Sequence, residues 1–209
     1  LHLMALMGLQ TGRPEAAAGN LEKAVARQPE SADLHNLLGG ALKRAGRLEE
    51  AVLAYDKAVS LGPELAEAHY NLGNALKELQ RFDDAVPSYR RAVELEPGFV
   101  DAYYNLGLVL MAAGRPDEAA RAYRDAVAVN PGDAEAHMNL GNALEAVDET
   151  DEAAAAYRRA IELRPDLAEA HYNRGNAARK QGNGQEAVAY DRRALNIDPN
   201  LAGAHNNLG

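Results

Sequence analysis

Cysteine is absent from all 209 residues, so disulfide frameworks, thiolate zinc sites and cysteine nucleophiles are excluded at once. Hydroxyl nucleophiles are scarce. Besides the tyrosines there are only Ser31, Ser60, Ser88, Thr11 and Thr150, too few to build a case for nucleophilic catalysis. No catalytic residue and no cofactor is assigned, and this chain is expected not to be an enzyme. Long apolar runs are missing too: the longest, Leu106 to Gly114, is interrupted by Gly107 and falls well short of the roughly 20 residues that cross a bilayer. No membrane partner is expected. Positive charge is in deficit, with 22 bases against 31 acids and a net charge of −9, so phosphate backbones are poorly matched and nucleic acid is not an expected partner. The chain begins at Leu1 with neither Met nor a basic stretch, so its start does not tell whether a targeting segment precedes it; the cytoplasm is the expected compartment.

What is present is a repeat. Prolines stand at Pro29, Pro63, Pro97, Pro131, Pro165 and Pro199, each 34 residues after the last. Glycines keep the same period at Gly39, Gly73, Gly107, Gly141, Gly175 and Gly209. Two alanine series do likewise, from Ala17 to Ala187 and from Ala24 to Ala194. Within one period the apolar residues Ala68, Leu72, Ala75 and Leu76, then Ala85, Val86, Tyr89, Ala92 and Val93, follow helical spacing. Gln80 lies between them, in a slot held by Gly12, Gly46, Gly114 or Gly182 elsewhere, where a left-handed residue ends a helix. Each unit therefore reads as helix, turn, helix, and the period-marking prolines close the second helix. The Gly73, Ala85 and Ala92 slots let two backbones approach closely while Tyr89 fills the space beside them. One unit cannot bury both of its stripes alone. Stacked copies can, so the expected fold is all-α: a right-handed superhelical solenoid of 34-residue helix-turn-helix repeats.

Segments such as AEAHYNLGNALKE (Ala66 to Glu78), followed by Ala85, Tyr89, Ala92 and Pro97, resemble the tetratricopeptide repeat. The resemblance covers the whole chain as a single domain, 1–209. It comprises a partial repeat at 1–31, full repeats at 32–65, 66–99, 100–133, 134–167 and 168–201, and a partial repeat at 202–209. The slot in which that family most often has Trp holds His35, His69, Tyr103, His137, His171 and His205. One histidine per repeat, about 10 Å apart by helix packing, is too sparse for a metal site and reads as packing. Acidic pairs such as Glu49-Glu50, Asp83-Asp84 and Asp117-Glu118 open second helices, where they complement the positive helix start rather than forming catalytic or calcium sites.

The more informative series is Asn71, Asn105, Asn139, Asn173 and Asn207, one asparagine per repeat on the first helix, joined one turn on by Asn74, Asn142 and Asn176. Asparagine is a poor helix-interior residue, costing roughly half a kcal/mol or more against alanine. It sits two residues before the packing glycine and off the Leu72/Leu76 stripe, a position expected to face an inner groove. A carboxamide donates to a backbone carbonyl and accepts from a backbone N–H at once, which suits an extended main chain of any sequence. First helices about 10 Å apart meet a peptide advancing about 3.3 Å per residue at roughly every third position. Contacts to adjacent helices or to water are the plain alternative.

This series resembles the repeat arm of the O-GlcNAc transferases, in which inner-groove asparagines hold the backbone of protein substrates. The resemblance implies that role for Asn71, Asn105, Asn139, Asn173 and Asn207; the equivalent slot of the repeat at 32–65 is Leu37, where the ladder is expected to stop. It also raises the alternative that the chain is the substrate-recruiting arm of a glycosyltransferase whose catalytic domain lies outside it. Tyr70, Tyr104 and Tyr172 flank the asparagines and offer amphipathic contact, or act as spacers between helices. The lysine clamp of other family members, which grips a terminal carboxylate, is not matched: its slots hold those tyrosines and Asp33, Glu67, Asp101, Glu135 and Glu169. An acidic tail is repelled, so the expected partner is a neutral or basic protein segment.

Two irregularities complete the reading. In the repeat at 168–201, Arg174 and Ala178 replace core apolar residues and Asp191 takes the tyrosine slot, so weaker packing is expected there. The apolar start, Leu1 to Leu9, and the partial repeat at the other end expose faces through which end-to-end association into a homo-oligomer is expected.

Overall fold

The computed structural model describes residues 13–209, and among them every regular element is a helix. The elements are α1 (Pro14–Arg27), α2 (Ala32–Arg44), α3 (Leu48–Leu61), α4 (Ala66–Glu78), α5 (Phe82–Leu95), α6 (Val100–Ala112), α7 (Pro116–Val129), α8 (Ala134–Ala146), α9 (Thr150–Leu163), α10 (Ala168–Lys180), α11 (Gly184–Ile197) and α12 (Ala202–Leu208). Even-numbered helices are the first of each pair. Two compact units divide the chain, one ending at Val109 and the other starting at Leu110. In the first, α2 packs on α3 and α4 on α5; in the second, α8 packs on α9 and α10 on α11. Gly12 and the apolar start Leu1 to Leu9, on which end-to-end association rests, lie outside the described residues.

Each boundary has a local cause. The turns between paired helices place Gly46, Gln80, Gly114, Asp148 and Gly182 at positive φ, from 58° to 81°. The following N–H then reaches back to close the helix end, as Arg47 does to the Leu42 carbonyl and Arg81 to that of Leu76, both at 2.9 Å. Gln80 and Asp148 adopt this conformation with a side chain in place. Three second helices, α3, α5 and α7, open on an arginine that pairs with an acid three residues on: Arg47 with Glu50, Arg81 with Asp84, Arg115 with Glu118. Pro14 and Pro116 occupy the first turn, where the missing N–H is not needed. Pro87 lies inside α5, which continues through it.

The histidine series has a definite task. Nε2 of His35, His69, His137, His171 and His205 donates to the carbonyl of the proline six residues earlier, at 2.8–3.2 Å. Each imidazole thus ties its helix to the incoming linker, which accounts for the residues without a metal.

Inside each pair, alanines replace bulk. Ala51, Ala85, Ala119, Ala153 and Ala187, with Ala58, Ala92, Ala126, Ala160 and Ala194, are fully buried. Tyr89, Tyr123 and Tyr157 are the largest side chains without solvent contact. A methyl group on Gly39 would lie 2.7 Å from the Tyr55 ring and one on Gly73 2.9 Å from Tyr89, with Gly141 tighter still against Tyr157. Only hydrogen fits between helix and ring.

Adjacent glycines in α2 test this contact. Alanine gains up to about 1 kcal/mol over glycine inside a helix, whereas forcing bulk into a packed core costs typically 1–3 kcal/mol. Gly39→Ala meets the Tyr55 ring and is expected to lower the unfolding free energy by about 1–2 kcal/mol net. Gly40→Ala, whose added methyl stays 3.6 Å from the Tyr55 hydroxyl, is expected to raise it by up to about 1 kcal/mol. Urea unfolding of the two variants measures both signs.

Candidate peptide-binding face

The glycine–tyrosine contact brings a hydroxyl to the surface of the first helices. Tyr89 is buried along its ring, and its OH donates to Asn74 Oδ1 at 2.7 Å. Tyr157 donates likewise to Asn142 Oδ1 at 3.0 Å. Each tyrosine therefore joins the core to an asparagine of the candidate site. Burial raises both phenols well above their ordinary pKa, and lifts Tyr55 to about 12.

Every asparagine singled out by the repeat is half-buried: Asn71, Asn74, Asn105, Asn139, Asn142, Asn173, Asn176 and Asn207. They are neither swallowed by the core nor swung into open solvent. In the first unit Asn71 Nδ2 donates to Asn36 Oδ1 at 3.1 Å. Asn105 Nδ2 donates to the Asp101 carbonyl at 2.9 Å and to the Tyr70 hydroxyl at 3.3 Å, and its Oδ1 accepts from Lys77 Nζ. Burial lowers the Lys77 pKa, with the Lys43 charge adding to it. In the second unit Asn173 Nδ2 donates to Asn142 Oδ1 and Asn207 Nδ2 to Asn176 Oδ1, both at 2.9 Å and both across 31 residues of sequence. Asn142 Nδ2 approaches Asn139 Oδ1 at 3.5 Å.

Adjacent first helices are thus cross-linked by carboxamides, the plain alternative read from the sequence, yet each group keeps unused capacity. A primary amide has two N–H donors and an oxygen with two lone pairs. Among the described residues, Asn71 Oδ1, Asn74 Nδ2, Asn173 Oδ1 and Asn176 Nδ2 have no partner within the chain. These four rungs are held through one end of the amide and open at the other.

The flanking aromatics divide. Tyr70 is edge-on to Tyr89, with centroids 5.9 Å apart, and lies 4.6 Å from Phe99. The Tyr172 ring and hydroxyl lie where a side chain on Gly203 would stand, so Tyr172 fills the gap to α12. Both are spacers between helices, half-buried with one edge left at the surface. Tyr104 is half-buried on α6.

Several residues of this face were not singled out by the periodic pattern. Asn36 falls in the Tyr70 slot, one residue before Leu37, and so extends the carboxamide contacts one helix further back. Tyr89 and Tyr157 follow their asparagines by 15 residues, a spacing visible in the sequence. The same offset from Asn176 leads to Asp191, which is fully buried. There Arg179 donates to Asp191 Oδ2 and to Asn176 Oδ1, and Asn207 donates to Asp191 Oδ1. Arg174, also buried, pairs with Glu186 at 2.7 Å and lies over the Tyr190 ring at 5.1 Å. The repeat at 168–201 has exchanged apolar filling for a set of paired charges.

Comparisons with known proteins agree with this architecture. The family model described as tetratricopeptide repeat matches residues 7–66, 70–120, 106–166 and 145–202. The crystal structure of YrrB, described as a TPR protein with an unusual peptide-binding site, superposes with a TM-score of 0.82 at 28% identity, covering 90% of this chain and 97% of that one. A crystal structure of MamA gives 0.77 at 28% identity, over 83% and 95%. Pseudomonas aeruginosa pilF gives 0.73 at 22% identity, over 98% and 93%, and shares the fold. No curated protein sequence matches. Among the described residues no helix is long and apolar enough to cross a membrane.

The tyrosine link has a pH signature. A phenol whose pKa is raised by folding stabilises the native state fully below the unfolded value near 10, and that contribution is lost as pH rises from there towards the folded value. Each buried tyrosine is expected to cost about 1.4 kcal/mol of stability per pH unit above 10. In Tyr89→Phe the fall between pH 10 and 11 should be shallower by about that amount. At pH 7 the same variant should lose about 1 kcal/mol for the bond to Asn74. Urea midpoints at the three pH values, with native protein alongside, measure both.

Proposed function

Because the chain belongs to the tetratricopeptide repeat family, we propose that it is a non-catalytic scaffold that holds an extended, neutral or basic segment of another protein along the asparagine-bearing face of its first helices. The observation that carries this reading is the recurrence of half-buried carboxamides held by hydrogen bonds within the chain, several of which, Asn71, Asn74, Asn173 and Asn176 among them, keep a donor or acceptor unused. Fixed amides lose little freedom on binding, and amide pairs with a main chain are indifferent to the partner's side chains. The peptide-binding site named for YrrB supports a peptide ligand here. Glu67, Asp101, Glu135 and Glu169, all exposed at the starts of first helices, favour a basic over an acidic segment. The asparagine series alone supports the second reading, a substrate-recruiting arm like that of the O-GlcNAc transferases.

Array screening of unrelated ten-residue peptides identifies binders, and two pairs of changes, one within each unit, then test the contact. Asn71→Ala with Asn105→Ala, and Asn139→Ala with Asn173→Ala, each remove two amides worth about 1 kcal/mol apiece, so each pair should weaken binding by about tenfold or more. The loss should be similar for peptides of different sequence. Unchanged affinity in folded variants, or a loss confined to one peptide, contradicts main-chain recognition.

A further inference from the structure

Glu145 stands out in its own repeat slot. The equivalent positions hold Lys43, Lys77, Met111 and Arg179, and a base in the last turn of a helix complements the negative helix end. Glu145 places a carboxylate in the last turn of α8, where the helix itself disfavours it. Its Oε2 pairs with Lys180 Nζ at 2.7 Å, and that lysine is half exposed, whereas the glutamate side chain is only 17% exposed. Its Oε1 is buried and accepts no hydrogen bond. A charged oxygen withdrawn from water without a donor is costly, and calls for a partner that the chain itself does not supply.

Glu145 lines a cavity of about 250 Å³ with Asn142, Tyr157, Asn173 and Asn176. Tyr157 spends its one donor, and Asn173 one of its two N–H groups, on Asn142 Oδ1, and no donor of the lining reaches Glu145 Oε1. Asn173 Oδ1 adds a second open acceptor on the same cavity. The nearby cations are already matched: Arg179 is held by Asp191 and Asn176, and Lys180 by Glu145. The space is several times the roughly 30 Å³ share of one water molecule. It is a polar recess beside the amide rungs, with two open acceptors and the Asn176 amide at its wall.

We propose that this recess is a socket for a basic side chain, arginine in particular, carried by the bound protein segment. A guanidinium has five N–H donors in a planar fork and no acceptor, which matches a carboxylate oxygen beside an amide oxygen. It takes over the pairing that Lys180 makes, and the half-exposed ammonium returns to water. The socket rests on the reading of the amide face as a peptide site, and gives that face a side-chain preference at one position of the second unit.

The test uses two blocked, otherwise neutral peptides that differ only in an arginine or its uncharged isostere citrulline, titrated calorimetrically into the full chain. Native protein is expected to bind the arginine peptide about tenfold more tightly. Glu145→Gln, nearly isosteric, should erase that preference while leaving the citrulline peptide's affinity unchanged. Lys180→Gln, which frees the carboxylate and is exposed enough to leave folding intact, should enlarge the preference. Equal binding of both peptides by native protein, or a preference that survives Glu145→Gln, overturns the socket while the amide reading stands. An arginine preference that needs Glu145, in a protein whose affinity for both peptides is untouched by Asn139→Ala, supports the socket and counts against main-chain recognition. A recess that holds only water gives no preference in any variant and overturns the socket.

Discussion

The contact between a glycine on one helix and a tyrosine ring on the next sets the spacing within the helix pairs of each unit. With hydrogen in place of a methyl group at Gly39, Gly73 and Gly141, the rings of Tyr55, Tyr89 and Tyr157 lie against bare backbone. Alanines on the second helices, buried without remainder, allow the same close approach from the other side. Bulk is supplied by one ring per pair rather than by many branched side chains. This leaves the tyrosine hydroxyl at the edge of the core, where Tyr89 and Tyr157 meet Asn74 and Asn142. Packing and site are therefore one continuous arrangement, and a change at the glycine is felt at the amide.

The asparagines illustrate how a helix-unfavourable residue is retained at little structural cost. Each loses some helix propensity, on the order of half a kcal/mol, and Asn71, Asn105, Asn173 and Asn207 recover stability through a bond to the neighbouring first helix. In the second unit the link recurs with a 31-residue offset, Asn173 to Asn142 and Asn207 to Asn176. In the first unit Lys77 and Tyr70 serve Asn105 instead. The result is a row of amides oriented before any ligand arrives. Orientation in advance is what lets individually weak hydrogen bonds add up to useful affinity.

Much of the helical layout was legible because it is local. A glycine period, a proline period and a 3.6-residue stripe place Gln80 in a left-handed turn, and its φ is 58°. What escaped is what depends on distance in space. The histidines were read as packing residues, yet their bond to the proline carbonyl six residues back is specific. Asn36 was hidden because it is one residue out of register with the asparagine series. Arg174 and Asp191 read as lost apolar filling, because the sequence does not display that Glu186, Tyr190, Arg179 and Asn207 converge on them. Glu145 breaks a slot otherwise held by Lys, Met or Arg, but the sequence does not display that its second oxygen is enclosed.

Recognition of a main chain by fixed carboxamides makes a claim about particular atoms, and side-chain amide resonances report on them directly. In a heteronuclear NMR titration with an array-selected peptide, the Nδ2 signals of Asn71 and Asn105 in the first unit, and those of Asn139, Asn173 and Asn207 in the second, should move and saturate, each unit's set at one common Kd. The peptide's own backbone amides should become protected from exchange over the same range. Binding that leaves those five signals in place, or protects only the ends of the peptide, contradicts the account.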